Sequence, residues 1–343
     1  MYKKLFGIAL LAHILVFAYL GLRPGTEPAA TNGSEKLDTP ASPFSGSKAE
    51  REIEEDDLLE EIEPKLELAV VEEFPDAAFE VLPGNIRTDD LKSGFLYDFS
   101  NQRLLWEKDS AKPVRIASMT KMMTALLAFE DEESKSDLSM DTVIQVTTAA
   151  FKIGGSQVWL DPRESFTLEE LLISIMVKSA NDSSYLAGEY LAEGSMDGFV
   201  ERMNERAVEL NMDSTHFFNA HGLPEGDTGN TASCQDLARL AIALMRYDKA
   251  LEWASIPTYD FRADSGKPTV LTNHNRLILT TEGVDGLKTG YTKGAGFCVT
   301  ATCLRDGRRL IAVTTGFKSS KRRDTFTQEL INWGYSQLVK NNA

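Results

Sequence analysis

From residue 86 onward, apolar residues switch between two spacings, every second position and every third or fourth, and the order of these spacings predicts the elements. SGFLYDFSNQRLLWEKD, from Ser93, reads as two strands around a turn near Ser100 and Asn101. After Pro113 comes RIASMTKMMTALLAFE, where Met119, Met122, Met123, Leu126 and Leu127 fall on one helical stripe. TLEELLISIMVKSANDSSYLAGEYLAE predicts a helix, a turn at Ser179 to Asp182, and a second helix. SMDGFVERMNERAVELNM and TASCQDLARLAIALMRYD add two more helical patterns. A strand ending at GLKTG follows, then AGFCVTATCLRDGRRLIAVTTGF, a hairpin with Asp306 and Gly307 in its turn. A helix from about Ser319 to Val339 completes the pattern, and no internal repeat is visible. Strand pair, helical block, hairpin and terminal helix predict an α+β fold, an antiparallel sheet covered by helices plus a helical subdomain.

Upstream of this body the texture differs. Lys3 and Lys4 precede a run from Leu5 to Leu22 that is apolar except for His13. It is long for a signal-peptide core and near the lower limit for a membrane span. Residues 1–23 are read as an uncleaved anchor, with a signal peptide cleaved after Ala18 as the alternative. Both readings send the rest of the chain out of the cytoplasm, because basic residues before the span stay inside. Residues 24–85 read as a linker, first rich in Pro, Gly, Ser and Thr, then strongly acidic. As a flexible coil it would span roughly 40–47 Å, which suits a tether between a membrane surface and a domain at 86–343.

The net charge of −16 changes little, because residues 50–80 alone carry −12. The remainder is mildly acidic and offers no basic footprint for nucleic acid. Cys234, Cys298 and Cys303 show no metal-ligand spacing. Cys298 and Cys303, five apart on one strand, point to opposite faces; buried free thiols are the reading, with a disulfide from Cys234 as the alternative. The four histidines form no His-Glu-x-x-His pattern, so a metal site is not expected.

Three short motifs carry chemistry. Ser118 and Lys121 stand at i and i+3, neighbours on a helix surface. That spacing alone is cheap: Ser45 and Lys48 have it in the low-complexity region. Ser179-Ala180-Asn181 sits at a break between helices, 61 residues after Ser118. Lys288-Thr289-Gly290 ends a strand, 109 residues after Ser179. Each is ordinary by itself, as capping chemistry or loop punctuation. Together, in this order and in these local contexts, they form a specific set.

The set resembles that of penicillin-binding proteins and serine β-lactamases. GGSQVWL, FFNAHGLPEGDTGNTASCQDLARL, GLKTGYTKGAGFCVTAT and RRLIAVTTGF resemble stretches of the low-molecular-weight D-alanyl-D-alanine carboxypeptidases, across about residues 86–340. The resemblance implies a DD-peptidase fold in which Ser118 attacks the carbonyl between the two terminal D-alanines of a peptidoglycan stem peptide. β-Lactams would acylate the same serine. Lys121 would be the base, with Lys288 as the second cation that keeps it neutral. Ser179 would relay a proton, and Asn181 would hold Lys121 and a substrate amide. Thr289 and Lys288, with Arg323 as a weaker candidate, would bind the terminal carboxylate. The N–H groups of Ser118 and Tyr291 would form the oxyanion hole, and Gly290 would admit the substrate. No cofactor is implied.

Members of this group often carry a β-rich second domain and a C-terminal amphipathic helix. Neither is read here, so membrane attachment is expected through the N-terminal segment. The alternatives are a D,D-endopeptidase, a β-lactamase, and a non-catalytic wall-binding module. No Glu-x-x-Leu-Asn stretch supports the lactamase, and no Gly-x-Ser-x-Gly elbow or phosphate loop supports other hydrolases.

Overall fold

The computed structural model describes residues 71–340 apart from Asp264. The candidate anchor at 1–23, and residues 24–70 of the candidate linker, lie outside the described residues. In chain order the elements are β1 (Ser93–Asp98), β2 (Arg103–Lys108), β3 (Val114–Arg115), a 3₁₀ turn (Ala117–Thr120) and α1 (Lys121–Ser134). Then come β4 (Val143–Gln145), α2 (Thr148–Phe151), β5 (Ser165–Thr167), α3 (Leu168–Val177), α4 (Asn181–Leu191) and α5 (Met196–Glu209). They are followed by β6 (Thr231–Ala232), α6 (Cys234–Leu244), α7 (Asp248–Ser255), β7 (Thr258–Phe261), β8 (Thr269–Thr272) and α8 (Leu277–Thr280). The last are β9 (Val284–Thr292), β10 (Gly296–Arg305), β11 (Arg308–Phe317) and α9 (Ser320–Lys340).

The expected α+β architecture is the one observed. Five antiparallel strands run in the order β2-β1-β11-β10-β9, so β2 and β9 are the edges. Side chains alternate along each strand. On β11, Ile311 and Val313 join the core shared with the helical subdomain, while Leu310 and Ala312 face the core under α9. Cys298 and Cys303 divide in the same way, and the three thiols are free and buried. Because both faces are covered, the strands read as apolar runs.

α1 is the central helix of the subdomain. Its expected stripe is buried, but Lys121, Thr124, Ala125 and Ala128 on other faces are buried as well. Flanking helices are started by side-chain caps. Thr167 and Glu170 form a capping box at α3, and Ser233 and Asp236 form one at α6. The short pairs β3–β6, β4–β5 and β7–β8, and the helix α7, have no counterpart in the sequence reading. Strands of two to four residues carry too few positions to show a period.

The folded body also begins earlier than the expected start at Ile86. Residues 71–82 form a strap around the β2 edge. Phe74 packs edge-on against Phe95 and Tyr97, on the helical side of the sheet, at 4.9 and 5.0 Å. Phe79 packs edge-on against Trp333 on the α9 side at 5.2 Å, and Leu82 is buried there. Between them, Ala78 N and Phe79 N donate to the carbonyls of Leu104 and Leu105 on β2. Arg239 donates to the carbonyls of Val71 and Glu72 and stacks on Phe74. Edge strands are commonly shielded in this way. A chain starting at residue 86 is therefore expected to be about 2–4 kcal/mol less stable than one starting at residue 71. Urea titration of the two chains checks this, and equal midpoints would show that the strap contributes nothing.

Candidate active site

The site is built around the turn that opens α1. Ser118 lies on the 3₁₀ turn, not on the first α-helical turn as expected, and Lys121 is the first α-helical residue. Ala117 has φ +48°, a left-handed conformation that turns the chain sharply before the serine. Thr120 Oγ1 donates to the Ala117 carbonyl, and Asn230 Nδ2 donates to Thr120 Oγ1. Two glycines let other segments close on this turn. A Cβ on Gly222, which has φ +85°, would stand 2.1 Å from the Ala117 carbonyl oxygen and 3.0 Å from Ser118 N. A Cβ on Gly290 would stand 2.5 Å from the Ile116 carbonyl oxygen. Any larger residue at either position would push the turn out of place.

Lys121 is fully buried. Its Nζ lies 3.1 Å from Ser118 Oγ, 2.6 Å from Asn181 Oδ1 and 2.5 Å from the His221 carbonyl oxygen. No carboxylate is among these partners. Burial pushes this amine well below the ordinary lysine range, and the Lys288 cation pushes it further, while Asp182 acts in the opposite direction. A neutral amine has two hydrogens and one lone pair. In that form the two carbonyl oxygens would take the hydrogens, which would leave the lone pair for the Ser118 hydroxyl. His221 is itself held neutral, pushed down to about 3 chiefly by burial.

The second motif forms one wall. Ser179 has φ +61°, and its buried Oγ has no hydrogen-bond partner among the described residues. An orphaned buried hydroxyl in a strained backbone is a feature of functional sites. Asn181 opens α4 and is fixed by three contacts: its N donates to the Ser156 carbonyl, its Nδ2 to the Gly154 carbonyl, and its Oδ1 accepts from Lys121. The next residue, Asp182, is buried and accepts from the N–H groups of Val158, Leu160 and Ser183.

The edge strand β9 forms the opposite wall. Lys288 is buried beside the Arg323 guanidinium, which α9 supplies. Burial first, and Arg323 second, push Lys288 down to about 7. Arg323 is itself buried, pairs with Asp324 at 2.6 Å, and reaches the carbonyl of Cys298, the β10 residue opposite Gly290. Thr289 is buried, whereas the Tyr291 ring stands out and stacks on Phe297 at 4.1 Å. Contacts join several of the residues expected from the sequence: Lys121 meets Ser118 and Asn181, Gly290 closes on the Ile116–Ala117 backbone beside Ser118, and Lys288 lies near enough to act on Lys121. Ser179 stands two residues before Asn181, and Thr289 and Tyr291 flank Gly290 on β9. The His221 carbonyl, Gly222, Asp182 and the Gly154–Ser156 loop were not anticipated individually. The first two and the loop lie in FFNAHGLPEGD and GGSQVWL, stretches marked only for their family texture, and Asp182 directly follows Asn181.

A family profile described as D-alanyl-D-alanine carboxypeptidase matches residues 86–319. The chain belongs to this family. The D-alanyl-D-alanine carboxypeptidase DacF of Bacillus subtilis is 35% identical over 268 residues, covering 77% of this chain and 68% of that protein. The D-alanyl-D-alanine carboxypeptidase DacD of Escherichia coli is 30% identical over 76% of this chain and 68% of its own length. Among solved structures, penicillin binding protein 6B of Escherichia coli superposes with a TM-score of 0.67 at 30% identity, covering 76% of this chain and 81% of that one. The ampicillin-bound penicillin-binding protein D2 of Listeria monocytogenes gives 0.64 at 27% identity, covering 72% of this chain and 97% of that one.

In this carboxypeptidase-family site the charge on Lys288 favours the neutral form of Lys121. Removing it, as in Lys288→Met, lets Lys121 take up a proton at higher pH. The acid limb of the penicillin acylation rate is therefore expected to move to higher pH in this variant, measured by stopped-flow from pH 5 upward. An unmoved limb would mean that Lys288 does not set the state of Lys121.

Proposed function

We propose that this chain is a serine D-alanyl-D-alanine carboxypeptidase that removes the terminal D-alanine from peptidoglycan stem peptides. One observation carries the reading: a fully buried lysine amine, 3.1 Å from Ser118 Oγ, whose other two partners are both acceptors. A binding module has no use for an activated nucleophile. In the proposed reaction Ser118 Oγ gives its proton to Lys121 Nζ and bonds to the carbonyl carbon between the two D-alanines. The N–H groups of Ser118 and Tyr291 hold the oxyanion. Collapse breaks the C–N bond, and the proton passes from Lys121 through Ser179 Oγ to the leaving amine of D-alanine. Water then attacks the ester by the same route and frees Ser118. Lys288, Thr289 and Arg323 hold the terminal carboxylate, and Asn181 holds the amide on the acyl side. A β-lactam carries the same carboxylate and an acyl carbonyl, so it would be held by the same groups and would acylate Ser118.

Intact-mass measurement with ampicillin tests the nucleophile. The parent chain is expected to gain one β-lactam and to release D-alanine from diacetyl-L-lysyl-D-alanyl-D-alanine. Ser118→Ala is expected to do neither, and undiminished labelling of that variant would overturn the assignment.

The proposal places the enzyme outside the cytoplasm, held to the membrane by Leu5 to Leu22 and spaced from it by the acidic linker. The support is the apolar run itself, near the length of a span and preceded by Lys3 and Lys4. Fractionation with N-terminal sequencing is expected to give an intact N-terminus in the membrane fraction. A soluble chain beginning at Tyr19 would replace the anchor by a cleaved signal peptide.

A further inference from the structure

Beside the Asn181 wall, the segment from Val158 to Leu160 is held by two buried charges. The Asp182 carboxylate accepts from the N–H groups of Val158 and Leu160. The Arg262 guanidinium donates to the carbonyls of Val158 and Trp159, at 2.7 and 2.9 Å. Arg262 is itself fixed, paired with Glu164 at 2.8 Å and lying over the rings of Phe166 and Phe261 at 5.0 and 4.8 Å. Within this clamp Trp159 has φ +54°, and its side chain is 66% exposed. A bulky residue rarely adopts that backbone conformation, and glycine or asparagine would meet the need of the loop at lower cost. The two unfavourable features, strain and apolar exposure, coincide at one residue whose backbone is rigidly held, five positions from Gly154, whose carbonyl accepts from Asn181 Nδ2. That points to use of the indole itself.

The layout of the cleft indicates what the indole meets. The carboxylate end of the substrate lies toward Lys288, Thr289 and Arg323. From Ser118 the acyl part must therefore leave along the other wall, past Asn181 and over the 154–160 loop. Resting on the carboxypeptidase reading, we propose that Trp159 is a specificity-determining platform for the residue that precedes the terminal D-alanyl pair, taking the methylene chain of its side chain on the indole face. With its backbone held in advance, the residue brings a large apolar face to such a contact at the cost of only two side-chain angles.

The test compares kcat/KM of the full-length chain for diacetyl-L-lysyl-D-alanyl-D-alanine and acetyl-L-alanyl-D-alanyl-D-alanine. In Trp159→Ala the lysyl-to-alanyl ratio is expected to fall about three- to tenfold, through KM, and Trp159→Phe is expected to restore most of it. An unchanged ratio, whether both rates hold or both fall together, would overturn the proposal. Hydrolysis of neither peptide by the parent would refute the carboxypeptidase reading, and the platform would then be judged by binding alone. Trp159 is the most exposed tryptophan of the described residues, since Trp106 and Trp253 are buried and Trp333 is partly so. Titrating Ser118→Ala with the lysyl peptide is expected to shift its emission to the blue, and the shift should vanish when Trp159→Phe is added. No shift, or a shift that survives Trp159→Phe, would overturn the platform.

Discussion

Everything around the site follows from keeping one amine in the interior without its proton. A charged ammonium would be costly there, and it could not serve as a base. Burial and a neighbouring cation both favour the neutral form, and the two carbonyl oxygens around Lys121 Nζ fix where its hydrogens point. This arrangement works against stability. With the folded value depressed, the unfolded chain binds a proton that the native chain does not. The contribution of Lys121 to stability therefore rises with pH between its depressed value and the ordinary lysine range, and is unfavourable at neutral pH. The dense apolar packing around α1 offsets that cost, and the same packing holds Ser118 within reach.

The geometry then depends on close backbone approaches. Two approaches to the Ser118 turn are made at a glycine, Gly222 from the loop before β6 and Gly290 from β9, while Asn181 and Asn230 present side chains. Because β9 is an edge strand, its free side faces the turn and not another strand of the sheet. An extended peptide lying between β9 and the Asn181 wall could add to that edge. The other edge, β2, is covered by the strap. The two edges of one sheet are thus treated in opposite ways, one closed by the chain's own strap and one turned toward the Ser118 turn.

How much of this could be read in advance depended on what each feature leaves in the side chains. The alternation along β11 and the 3.6-residue periods of α3, α5 and α6 identified the sheet and helices. Ser118, Lys121, Ser179, Asn181 and Lys288 were visible because the chemistry demands those side chains. The His221 carbonyl was not, since a backbone acceptor has no residue type. Asp182 was hidden beside the more conspicuous Ser-x-Asn motif. The strap was masked by its own composition: Glu72, Glu73, Asp76 and Glu80 continue the acidic run, while the packing is done by Phe74, Phe79 and Leu82. The 3₁₀ turn at Ser118 was missed because an i, i+3 pair lies on one side of either helix type.

Arg323 shows where a family reading and a physical reading diverge. The resemblance makes Lys288 the second cation and names Arg323 only as a weaker candidate for the terminal carboxylate. In the structure, however, Lys288 is pushed to about 7, with Arg323 as the neighbouring charge that contributes to this. A guanidinium stays charged wherever it is placed, whereas a buried lysine does not. Arg323 therefore supplies the permanent positive charge on the β9 side, anchored to Asp324 and to the Cys298 carbonyl. Lys288 supplies a cation that can respond, because a bound carboxylate next to it favours its protonated form. A carboxylate arriving there would bring a negative charge that offsets the proton gained by Lys288, so the field at Lys121 would change little and the permanent charge of Arg323 would keep that side cationic.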